Sequence, residues 1–542
     1  MNGDDKIRKQ VSAAFQLRAL SLKRDALNYA VDLLSEFDNS QRATWIEKII
    51  AALAKQNVDS PLIDLKSFEA AVSICANKKS GESKSIFHLI DVFSAPKIKF
   101  DGNAGKVIAA VEDGSIIGKS NHVVDMLRNR LSLVLQRSSR SSAFEHFRLS
   151  SVEDLLGIAR NANDVVILGM LSQRDAERYQ IEDLTGCIPV DLSNATFHSG
   201  LFTDGCIMLV EGDFCNNTLE ASGVGLAPIE SASATRSHFG NENWFGGESP
   251  IAYPTIPRLQ KINASNPEAR IIFVADVWLD DPKVVNGIYS MLVGFAEMPP
   301  IAFIFCGNFC SVSGTPEAYR KLRGVLRIRL FVIAVFTSSM EVREAKDFAF
   351  EFSDGFRNLA KLISQVCQEH ADLQNSNFVF VPGPEDPSLP SILPRPPLPY
   401  SLFEELKGVP NRSFASNPCR IQYADQEIVV FRYDIVEKMC RNSIHMPSKT
   451  ADIAEQLCKT LASVGHLCPL PLHISPVYWQ MDHALTLYPL PNLVVVADQF
   501  QQFVIPQHGC IFANPSSFAR SQLDFIVYYP SNSEVERSSI SF

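Results

Sequence analysis

Polar side chains follow three predicted strands in the C-terminal half of the chain. Asp276 comes directly after the apolar run "IIFVA", Asn308 follows "IAFIFCG", and Asp386 lies in "GPED" after "NFVFV". Carboxylates and amides at the carboxyl ends of buried parallel strands are where α/β enzymes place metal ligands. Two divalent cations about 3.5–4 Å apart, held by such residues, catalyse the hydrolysis of phosphate esters. The positions of these residues therefore indicate two-metal phosphoester chemistry.

The residue types at these strand ends do not suit that chemistry. Dinuclear metallophosphoesterases carry Asp-x-His, Gly-Asp and Gly-Asn-His at successive strand ends, because the cations need a bridging carboxylate and imidazole ligands. Trp278 stands in place of the first histidine, and its indole offers only an N–H donor. Asn308 puts a neutral amide in place of the bridging carboxylate, while Pro384 and Glu385 replace the Asn-His pair of the third loop.

A later strand end has the same defect. In "VVVADQF", Asp498 and Phe500 occupy the places where further histidines would be expected. We therefore predict no catalytic residue, no bound metal and no cofactor. The degenerate metal-site positions are Asp276, Trp278, Asn308, Pro384, Glu385, Asp386 and Asp498. A phosphoesterase with unusual ligands is the alternative hypothesis, because Asp276, Glu385 and Asp386 keep their carboxylates.

Apolar strands and amphipathic helices alternate from residue 257 onward and must position these residues. One helix candidate begins at "DPKVV" and another covers residues 354–370; each separates two strand candidates, which is typical of a mostly parallel sheet. The later runs "QEIVVFR", "NLVVVADQF" and "SQLDFIVYYP" predict a second layer, so we expect an α/β sandwich with helices outside. Residues 325–352 interrupt a single helical pattern and predict an insertion. A retained intron or mispredicted exon and a lineage-specific surface loop are both compatible with it.

The N-terminal part of the chain predicts a small helical domain. Apolar residues recur with helical spacing within residues 6–76, and Ser60 and Pro61 have the types expected at the start of a fourth helix. The polar stretch 77–85 ends this bundle. From residue 164 the pattern changes to short runs of period two, separated by Gly and Asn turns. Five short antiparallel strands there fit a small OB-type β-barrel.

The composition argues against a dedicated nucleic-acid binder. The net charge is −10, whereas neutralising phosphates requires a basic surface. A local exception, residues 122–148, combines basic with aromatic side chains. These are Arg128, Arg130, Arg137, Arg140, Arg148, Phe144 and Phe147. A basic face for single-stranded DNA and an ordinary solvated helix followed by a turn are both compatible with this pattern. The predicted barrel strands offer few basic or aromatic residues, which favours a scaffold barrel over a binding one.

The twelve cysteines are scattered through the chain without a CxxC pair. Structural zinc needs closely spaced pairs, so we expect reduced and mostly buried thiols. The N-terminal sequence has no apolar segment of the kind found in signal peptides. The longest apolar run, "LFVIAVF", is far below the roughly 20 residues that cross a bilayer. These features predict a soluble intracellular protein.

Several motifs together resemble the B-subunits of replicative DNA polymerases, with DNA polymerase epsilon as the most similar branch. They include "FVADVWLD", "FIFCGNF", "NPCRIQY", "LYPLPNLVVVADQF" and "NPSSFARSQLDFIVYYP". The stretch "HFGNENWFGG" and the helical start are similar to the same family. The resemblance covers nearly the whole chain, with residues 325–352 as the main departure.

The resemblance implies an α/β multidomain fold. It places a helical bundle similar to the lid of AAA+ ATPases at 1–76 and a linker with helical and extended segments at 77–154. An OB-fold would follow at 155–230. An inactive calcineurin-like phosphoesterase sandwich would occupy 231–542 and contain the insertion.

The resemblance also implies partners and a place of action. The barrel and sandwich of such proteins hold the C-terminal zinc-binding domain of the catalytic subunit of DNA polymerase epsilon. The N-terminal domain docks on the replicative helicase through its GINS component, and small histone-fold subunits complete the holoenzyme. Contact with DNA would be indirect or weak, and no membrane is involved. A non-catalytic role in nuclear DNA replication and its initiation follows from the resemblance.

Overall fold

The structure is a computed structural model with two compact units, Met1–Ser85 and Ile86–Phe542. The described residues are 3–16, 20–34, 42, 46, 49–50, 53, 62–65, 67–68, 86–101, 105–110, 115–144, 148–158, 161–175, 178–239, 243–247, 256–312, 337–387, 391–448 and 450–541. For residues 3–6, 32, 62, 109–110, 239 and 337–351 only the backbone is described. No helix in these ranges is long and apolar enough to cross a membrane.

The N-terminal unit contains the helices Gly3–Gln16 and Arg24–Leu34. Their helical spacing is confirmed, because the apolar residues of each lie buried in one common core. Two short parallel strands, β1 (Ser21–Leu22) and β2 (Leu62–Ile63), pair with each other. The prediction of a helix starting at Pro61 is therefore wrong, since the backbone of the next two residues pairs with β1. Most of residues 43–76 lie outside the described ranges, so the similarity to an AAA+ lid stays a prediction.

Residues 86–138 supply elements of the larger unit. The strand β3 (Phe87–Ile90) extends one edge of a sheet, and β4 (Lys97–Asp101) pairs with β5 (Lys106–Ala110) in a hairpin. The helix Ser120–Ser138 follows and buries most of its second half. A period-two pattern only a few residues long gives little signal, which explains why the sequence predicts this segment only as a linker with helical and extended parts.

A closed five-stranded barrel follows this segment. Its strands are β6 (Ala162–Asp175), β7 (Arg178–Glu182), β8 (Cys187–Asp191), β11 (Ile207–Cys215) and β12 (Thr218–Gly225). The order is β11-β6-β7-β8-β12, and pairing of β12 with β11 closes the ring. The expectation of five antiparallel strands is wrong at one junction, where β8 and β12 are parallel. An odd number of strands cannot alternate in direction all around a ring, so one pair must be parallel.

The barrel interior is filled by every second side chain of its strands. In β8 buried and exposed residues alternate strictly, as expected for strands with one face in a core. Two residues of the short helix Val152–Leu156, Val152 and Leu155, pack in the same core. The strand β9 (Thr196–Phe197) pairs with β12 beyond the residues of β12 that pair with β8. The strand β10 (Phe202–Thr203) pairs with β19 (Ser443–His445), which links the barrel to the C-terminal part of the chain.

Two six-stranded sheets form the C-terminal part. The strands of the first sheet are β13 (Ile271–Ala275), β14 (Ala302–Cys306), β15 (Asn377–Val381), β16 (Arg412–Phe414), β23 (Asp524–Tyr529) and β24 (Glu534–Ser539). Those of the second are β17 (Cys419–Tyr423), β18 (Gln426–Arg432), β20 (Leu493–Ala497), β21 (Phe503–Gln507), β22 (Cys510–Asn514) and β3. The first sheet has the order β16-β15-β14-β13-β23-β24 and the second β21-β22-β20-β18-β17-β3. Neighbouring strands from β13 to β16 are parallel, as are β18, β20 and β22, so the mostly parallel sheet is confirmed.

The sheets stack face to face, with helices on both outer faces. One buried core lies between the sheets, and two more lie between each sheet and its helices. The helices of this part are Ala232–Phe239, Ile256–Ala264, Pro282–Gly294, Thr337–Glu369, Tyr400–Glu405, Ile435–Arg441 and Ile453–Val464. A strand buried on both faces needs a continuous apolar sequence, which is the pattern seen at "IIFVA" and "LVVVA". The predicted sandwich with outer helices is confirmed.

Part of the predicted insertion 325–352 is helical. Residues 337–352 continue the helix Thr337–Glu369, so the predicted helix 354–370 begins much earlier than expected. Phe352, at the end of the predicted insertion, is 2% exposed and packs 5.2 Å from Phe356 between ring centroids. Residues 325–336 lie outside the described ranges.

Candidate functional site

The carboxyl ends of the central strands of both sheets meet at one edge of the sandwich. The buried polar residues there are Asp276, Asn308, Asp386, Arg432 and Asp498, and we call them the strand-end centre. Each of the five is at most 3% exposed. Apolar strands carry these polar groups into the interior, so each must find a partner inside the protein.

Asp276 follows β13 in a left-handed backbone conformation, with φ of 55°. Aspartate adopts this conformation more readily than most residues. Its Oδ1 accepts hydrogen bonds from Nη2 of Arg432 at 2.6 Å and from the backbone N–H of Asn308 at 3.3 Å. Its Oδ2 is buried and has no hydrogen-bond partner among the described residues.

Arg432 ends β18 of the second sheet and reaches across to the first. Besides Asp276, its guanidinium donates to Asp434 Oδ1 at 2.9 Å, to the Ala497 carbonyl at 3.1 Å and to the Gly307 carbonyl. Burial disfavours the charge, but the carboxylates of Asp276 and Asp434 outweigh it and hold the pKa of Arg432 above its ordinary value. A permanent cation therefore lies among the carboxylates of the strand-end centre.

Asn308 acts as a clamp between two loops. Its side-chain Oδ1 accepts a hydrogen bond of 3.0 Å from the backbone N–H of Glu385, whose own side chain is exposed. The peptide bond between Gly307 and Asn308 is cis. A Cβ atom at Gly383 would collide with Oδ1 of Asn308, so the close approach of these loops requires glycine there.

Asp386 closes the same pair of loops from the other side. Its two oxygens accept hydrogen bonds of 2.7 Å each, Oδ1 from the backbone N–H of Phe309 and Oδ2 from that of Gly383. Burial raises the pKa of Asp386 to about 6, although these two donors oppose the shift. Arg395 donates from Nη2 to the Asp386 carbonyl oxygen at 2.9 Å. The side-chain carboxylate of Asp386 therefore holds the two loops together.

Asp498 follows β20 and caps the helix Ile435–Arg441. Its Oδ2 accepts from the backbone N–H of Val436 at 2.9 Å, and its Oδ1 accepts from that of Phe500 at 2.8 Å. Burial and the nearby charge of Asp434 raise the pKa of Asp498 to about 7. Both oxygens are committed to backbone donors.

The side chains of Trp278 and Pro384 lie apart from the side-chain hydrogen bonds of the strand-end centre, although the backbone N–H of Trp278 donates to the Asp276 carbonyl at 3.0 Å. Trp278 is half-buried and packs against the core between the first sheet and its helices. The guanidinium of Arg520 lies over its ring, 5.3 Å from the centroid, which is the geometry of a cation–π contact. Pro384 is half-buried in the loop before Glu385.

The residues of the strand-end centre do not fit a metal pair. Within the described ranges, no group of three or more His, Cys, Asp or Glu side chains is arranged to hold a metal ion. One carboxylate of the centre already binds a guanidinium, and two others accept only backbone N–H groups. Asn308, with a neutral amide, faces a backbone donor. The hydrogen bonds of these residues hold the strand-end loops together.

Sequence reasoning missed Arg432 and Arg395. Arg432 had a signal in "IVVFRYD", because a charged residue that ends a buried strand needs a buried partner. Its partner Asp276 lies 156 positions away along the chain, and no local pattern identifies it. Arg395 lies in the proline-rich run "LPRPPLP", where a solvated side chain is the usual interpretation.

The arginines of residues 122–148 do not form one basic face. Arg130 donates to both oxygens of Asp482, with one contact at 2.9 Å, and Arg140 pairs with Glu230 at 2.8 Å. Arg137 is 4% exposed, and burial lowers its pKa to about 10. The alternative of a basic face is therefore wrong for these three. The solvated-helix alternative is also wrong in its second half, because that half is buried against other elements.

The remaining aromatic and basic residues of this segment are separate from those ion pairs. Arg128 and Arg148 are exposed and Phe144 is half-buried, while Phe147 lies outside the described residues. A groove of about 660 Å³ opens beside Phe144, between the barrel and the helix Ile453–Val464. Its walls are mainly apolar and include Leu209, Leu226 and Ile229.

Comparisons with known proteins match the whole length of the chain. Family models match three segments: the N-terminal region of the epsilon polymerases at 3–75, the OB-fold domain similar to DNA polymerase epsilon subunit 2 at 120–228, and the B-subunits of DNA polymerases alpha and epsilon at 271–505. The "DNA polymerase epsilon subunit 2" of Bos taurus is 36% identical, with 99% of each chain covered. The corresponding B-subunit of DNA polymerase epsilon from Arabidopsis thaliana is 30% identical, with 100% of each chain covered. An archaeal phosphodiesterase of known structure is 12% identical, with 50% of this chain and 99% of its own chain covered and a TM-score of 0.25.

Proposed function

The chain belongs to the family of DNA polymerase epsilon subunit 2, the accessory B-subunits of that polymerase, and on this premise we propose that it is a non-catalytic scaffold with an inactivated phosphoesterase centre. The observation that carries the proposal is the buried pair of Arg432 with Asp276 at 2.6 Å. A fixed cation takes the place of metal ions, so the centre cannot supply the metal-bound hydroxide that attacks a phosphate ester. Its remaining carboxylates brace the loops.

The scaffold role concerns the catalytic subunit of DNA polymerase epsilon. We propose that its C-terminal zinc-binding domain docks where the barrel and the sandwich meet. The apolar groove beside Leu209, Leu226 and Ile229 supports this location, because protein interfaces have apolar centres with polar rims. The charged residues Lys459 and Glu211 also line the groove.

We assign a second binding partner to the N-terminal unit. We propose that it docks on the replicative helicase through GINS and tethers the polymerase to the fork in the nucleus. The small histone-fold subunits would join the same holoenzyme. DNA contact would be indirect or weak, because the arginines that could have formed a basic face are committed to internal ion pairs. The match of residues 3–75 to the epsilon N-terminal family supports this assignment.

Co-expression with the C-terminal domain of the catalytic subunit tests the scaffold proposal. We expect a stable 1:1 complex in size-exclusion chromatography. Leu226→Glu should weaken the complex, whereas Ile117→Glu, at an 84% exposed position outside the groove, should leave it intact. Separate elution of the two wild-type chains at micromolar concentration would contradict the proposal.

An assay for phosphodiester hydrolysis with added manganese tests the loss of catalysis. The expected result is no turnover above a blank, because Arg432 and the backbone donors occupy the carboxylates. Turnover that disappears in Asp276→Asn would favour a phosphoesterase with unusual ligands instead.

A further inference from the structure

Three exposed aliphatic side chains lie at one end of the barrel, where the short helix Val152–Leu156 meets the turn between β7 and β8. Leu156 is 56% exposed, Ile158 is 44% exposed and Leu184 is 41% exposed. Single exposed aliphatic residues are common on protein surfaces, whereas contiguous apolar patches mark sites of interaction. The contacts between the helix and the turn decide whether these residues form one patch.

Two hydrogen bonds fix the turn to the start of the helix. The backbone N–H of Val152 donates to Oδ2 of Asp183 at 2.7 Å, and that of Glu153 donates to Oγ1 of Thr185 at 3.0 Å. Leu184 lies between the two acceptor residues in the sequence. Its backbone is therefore held beside the first turn of the helix.

The end of the turn packs along the side of the helix. A Cβ atom at Gly186 would lie 3.1 Å from Cγ1 of Val152 and 3.9 Å from Cδ1 of Leu156. Val152 and Leu155 are at most 1% exposed and anchor the helix in the barrel core. The exposed aliphatic residues of the helix and the turn therefore form one patch that is fixed before any partner binds. A preorganised surface of this kind loses little conformational entropy on binding.

Carboxylates border the patch. Glu153 and Asp154 are exposed on the helix, and Asp183 is half-buried in the turn. Arg148 is the one cation within residues 148–158 and 183–186, which the structure describes in full. Hydrogen bonds from Ser151 and the positive charge of Arg148 lower the pKa of Asp154. Three carboxylates and one guanidinium leave the surroundings of the patch negatively charged.

We propose that Leu156, Ile158 and Leu184 dock a protein segment whose apolar face is bordered by lysine or arginine side chains. An amphipathic helix with a basic border has this character: it buries the aliphatic side chains and places its cations beside the carboxylates. None of the three residues lines the groove proposed for the zinc-binding domain of the catalytic subunit. The patch is therefore a second docking surface, and it does not depend on the role proposed for the groove.

The charge of the border disfavours two other occupants. Nucleic acid does not fit, because carboxylates repel phosphates and aliphatic side chains offer no ring on which a base stacks. A second copy of the chain does not fit either, because a two-fold contact brings the same surface of both copies together. Such a contact would place the carboxylates of one copy against those of the other.

Peptide binding by the full-length protein tests the proposal. The probes are two fluorescent helical peptides of equal length with leucines on one face, one carrying lysines and the other glutamates on the remaining positions. Fluorescence anisotropy should show binding of the leucine–lysine peptide and none of the leucine–glutamate peptide. Leu156→Ser combined with Leu184→Ser should weaken binding of the leucine–lysine peptide about tenfold or more, because both side chains lose their apolar contacts.

The matched control changes two apolar residues of similar exposure on another element. Tyr289 and Met298 are 43% and 49% exposed, and Tyr289→Ser combined with Met298→Ser should leave the affinity unchanged. Equal weakening by the two double variants would overturn the proposal. Urea denaturation verifies that the leucine variant is folded, and Leu184→Ser alone replaces the double variant if it is not.

A charge variant and two further measurements identify the occupant. Glu153→Lys should weaken binding of the leucine–lysine peptide and reduce the dependence of that binding on salt. Binding of the leucine–glutamate peptide that is lost in the leucine variant would overturn the proposal. Binding of a single-stranded oligonucleotide, or self-association measured by sedimentation, would overturn it in the same way if it were lost in that variant. Co-expression with the catalytic subunit's domain tests the scaffold role separately.

Discussion

Nη2 of Arg432 lies 2.6 Å from Oδ1 of Asp276, and neither side chain is more than 1% exposed. The two residues end strands of different sheets, so this ion pair connects the sheets directly at the edge of the sandwich. Taking two charges out of water costs free energy that is recovered only if both stay paired and hydrogen-bonded. The additional bonds of Arg432 to Asp434 and to two carbonyl groups meet that condition.

Removing one partner of this pair should destabilise the protein strongly. We expect Asp276→Ala to lower the free energy of unfolding by about 3–5 kcal/mol, because it leaves a buried guanidinium without its main counter-ion. Urea denaturation measures the change. Glu437→Ala is the matched control, since Glu437 and Arg441 form an exposed pair on a helix surface and should contribute little. If the two substitutions lowered the free energy of unfolding equally, burial would not explain the contribution of the Arg432–Asp276 pair.

The strands that carry the strand-end centre were predictable from sequence, but its ion pairs were not. Runs such as "IIFVA" at 271–275 are apolar throughout because each strand is covered on both faces, and that pattern is local. The pairing of Arg432 with Asp276 spans 156 positions, and that of Arg130 with Asp482 spans 352. Only the folded chain brings such residues together, so a sequence pattern shows the charge without its partner.

The strands of the barrel were also predictable from sequence, but the pairing between them was not. The alternation of buried and exposed residues in β8 was a sufficient local signal for a strand. The parallel pairing of β8 with β12 depends on the order of strands around the closed ring. The strand β3 was missed because it is four residues long and lies on a sheet edge far from its partner strand in sequence.

Acid should weaken the protein partly through His483. Burial and the positive charge of Arg420 lower the pKa of His483 to about 4, whereas the side chain in an unfolded chain has a pKa near 6.5. Between these values the unfolded state binds a proton that the folded state does not, so stability present above about pH 6.5 is lost as the pH falls towards 4. The limiting slope is about 1.4 kcal/mol per pH unit.

His483→Gln should remove that slope, because glutamine keeps a donor for the Ala95 carbonyl, 3.1 Å from Nε2 of His483, but does not titrate. Urea denaturation at about pH 7, 6 and 5 measures it as the difference between variant and wild type. The comparison with wild type is needed because Asp498 also titrates in this range. Its pKa is raised to about 7, so its contribution to stability changes with pH in the opposite direction to that of His483. A variant as pH-sensitive as wild type would show that the histidine is accessible to protons.

Trp278 should contribute to stability through packing. The side chain is half-buried against the outer core, and Arg520 lies over its ring. We expect Trp278→Ala to cost about 2 kcal/mol, roughly half of what a fully buried tryptophan costs. Thermal or urea unfolding measures it. Arg520→Ala removes the cation–π contact and an exposed hydrogen bond from Nη1 of Arg520 to Oε1 of Gln499. It should cost less, about 0.5–1 kcal/mol. If Trp278→Ala left the stability unchanged, the ring would not be part of the core.

Phe352 offers a test of the predicted insertion. It is the last residue of that segment, and its ring packs 5.2 Å from that of Phe356, between centroids, in the core under the first sheet. We expect Phe352→Ala to destabilise the protein by about 3–5 kcal/mol. If residues up to 352 were dispensable, the substitution would be neutral. Transcript sequencing across codons 324–353 separates a genuine segment from a retained intron.

Arg130 and Arg128 distinguish a structural helix from a nucleic-acid surface. Arg130 is paired with buried Asp482, which also contacts Nε2 of His466 at 3.2 Å, while Arg128 on the same helix is exposed. Arg130→Ala should therefore cost about 3–5 kcal/mol of unfolding free energy, because it leaves Asp482 without its guanidinium. Arg128→Ala should leave stability unchanged.

The same two variants decide whether the helix binds single-stranded DNA. Electrostatic binding is strongest at low salt, so fluorescence anisotropy with labelled oligonucleotides at low ionic strength is the most sensitive measurement. We expect weak binding that is equal in wild type and Arg128→Ala, because one exposed arginine on an acidic protein neutralises too few phosphates. Loss of tight binding in Arg128→Ala would restore the basic-face hypothesis. A stability change confined to Arg130→Ala would instead mean that the arginines of this helix serve to hold it against the sandwich.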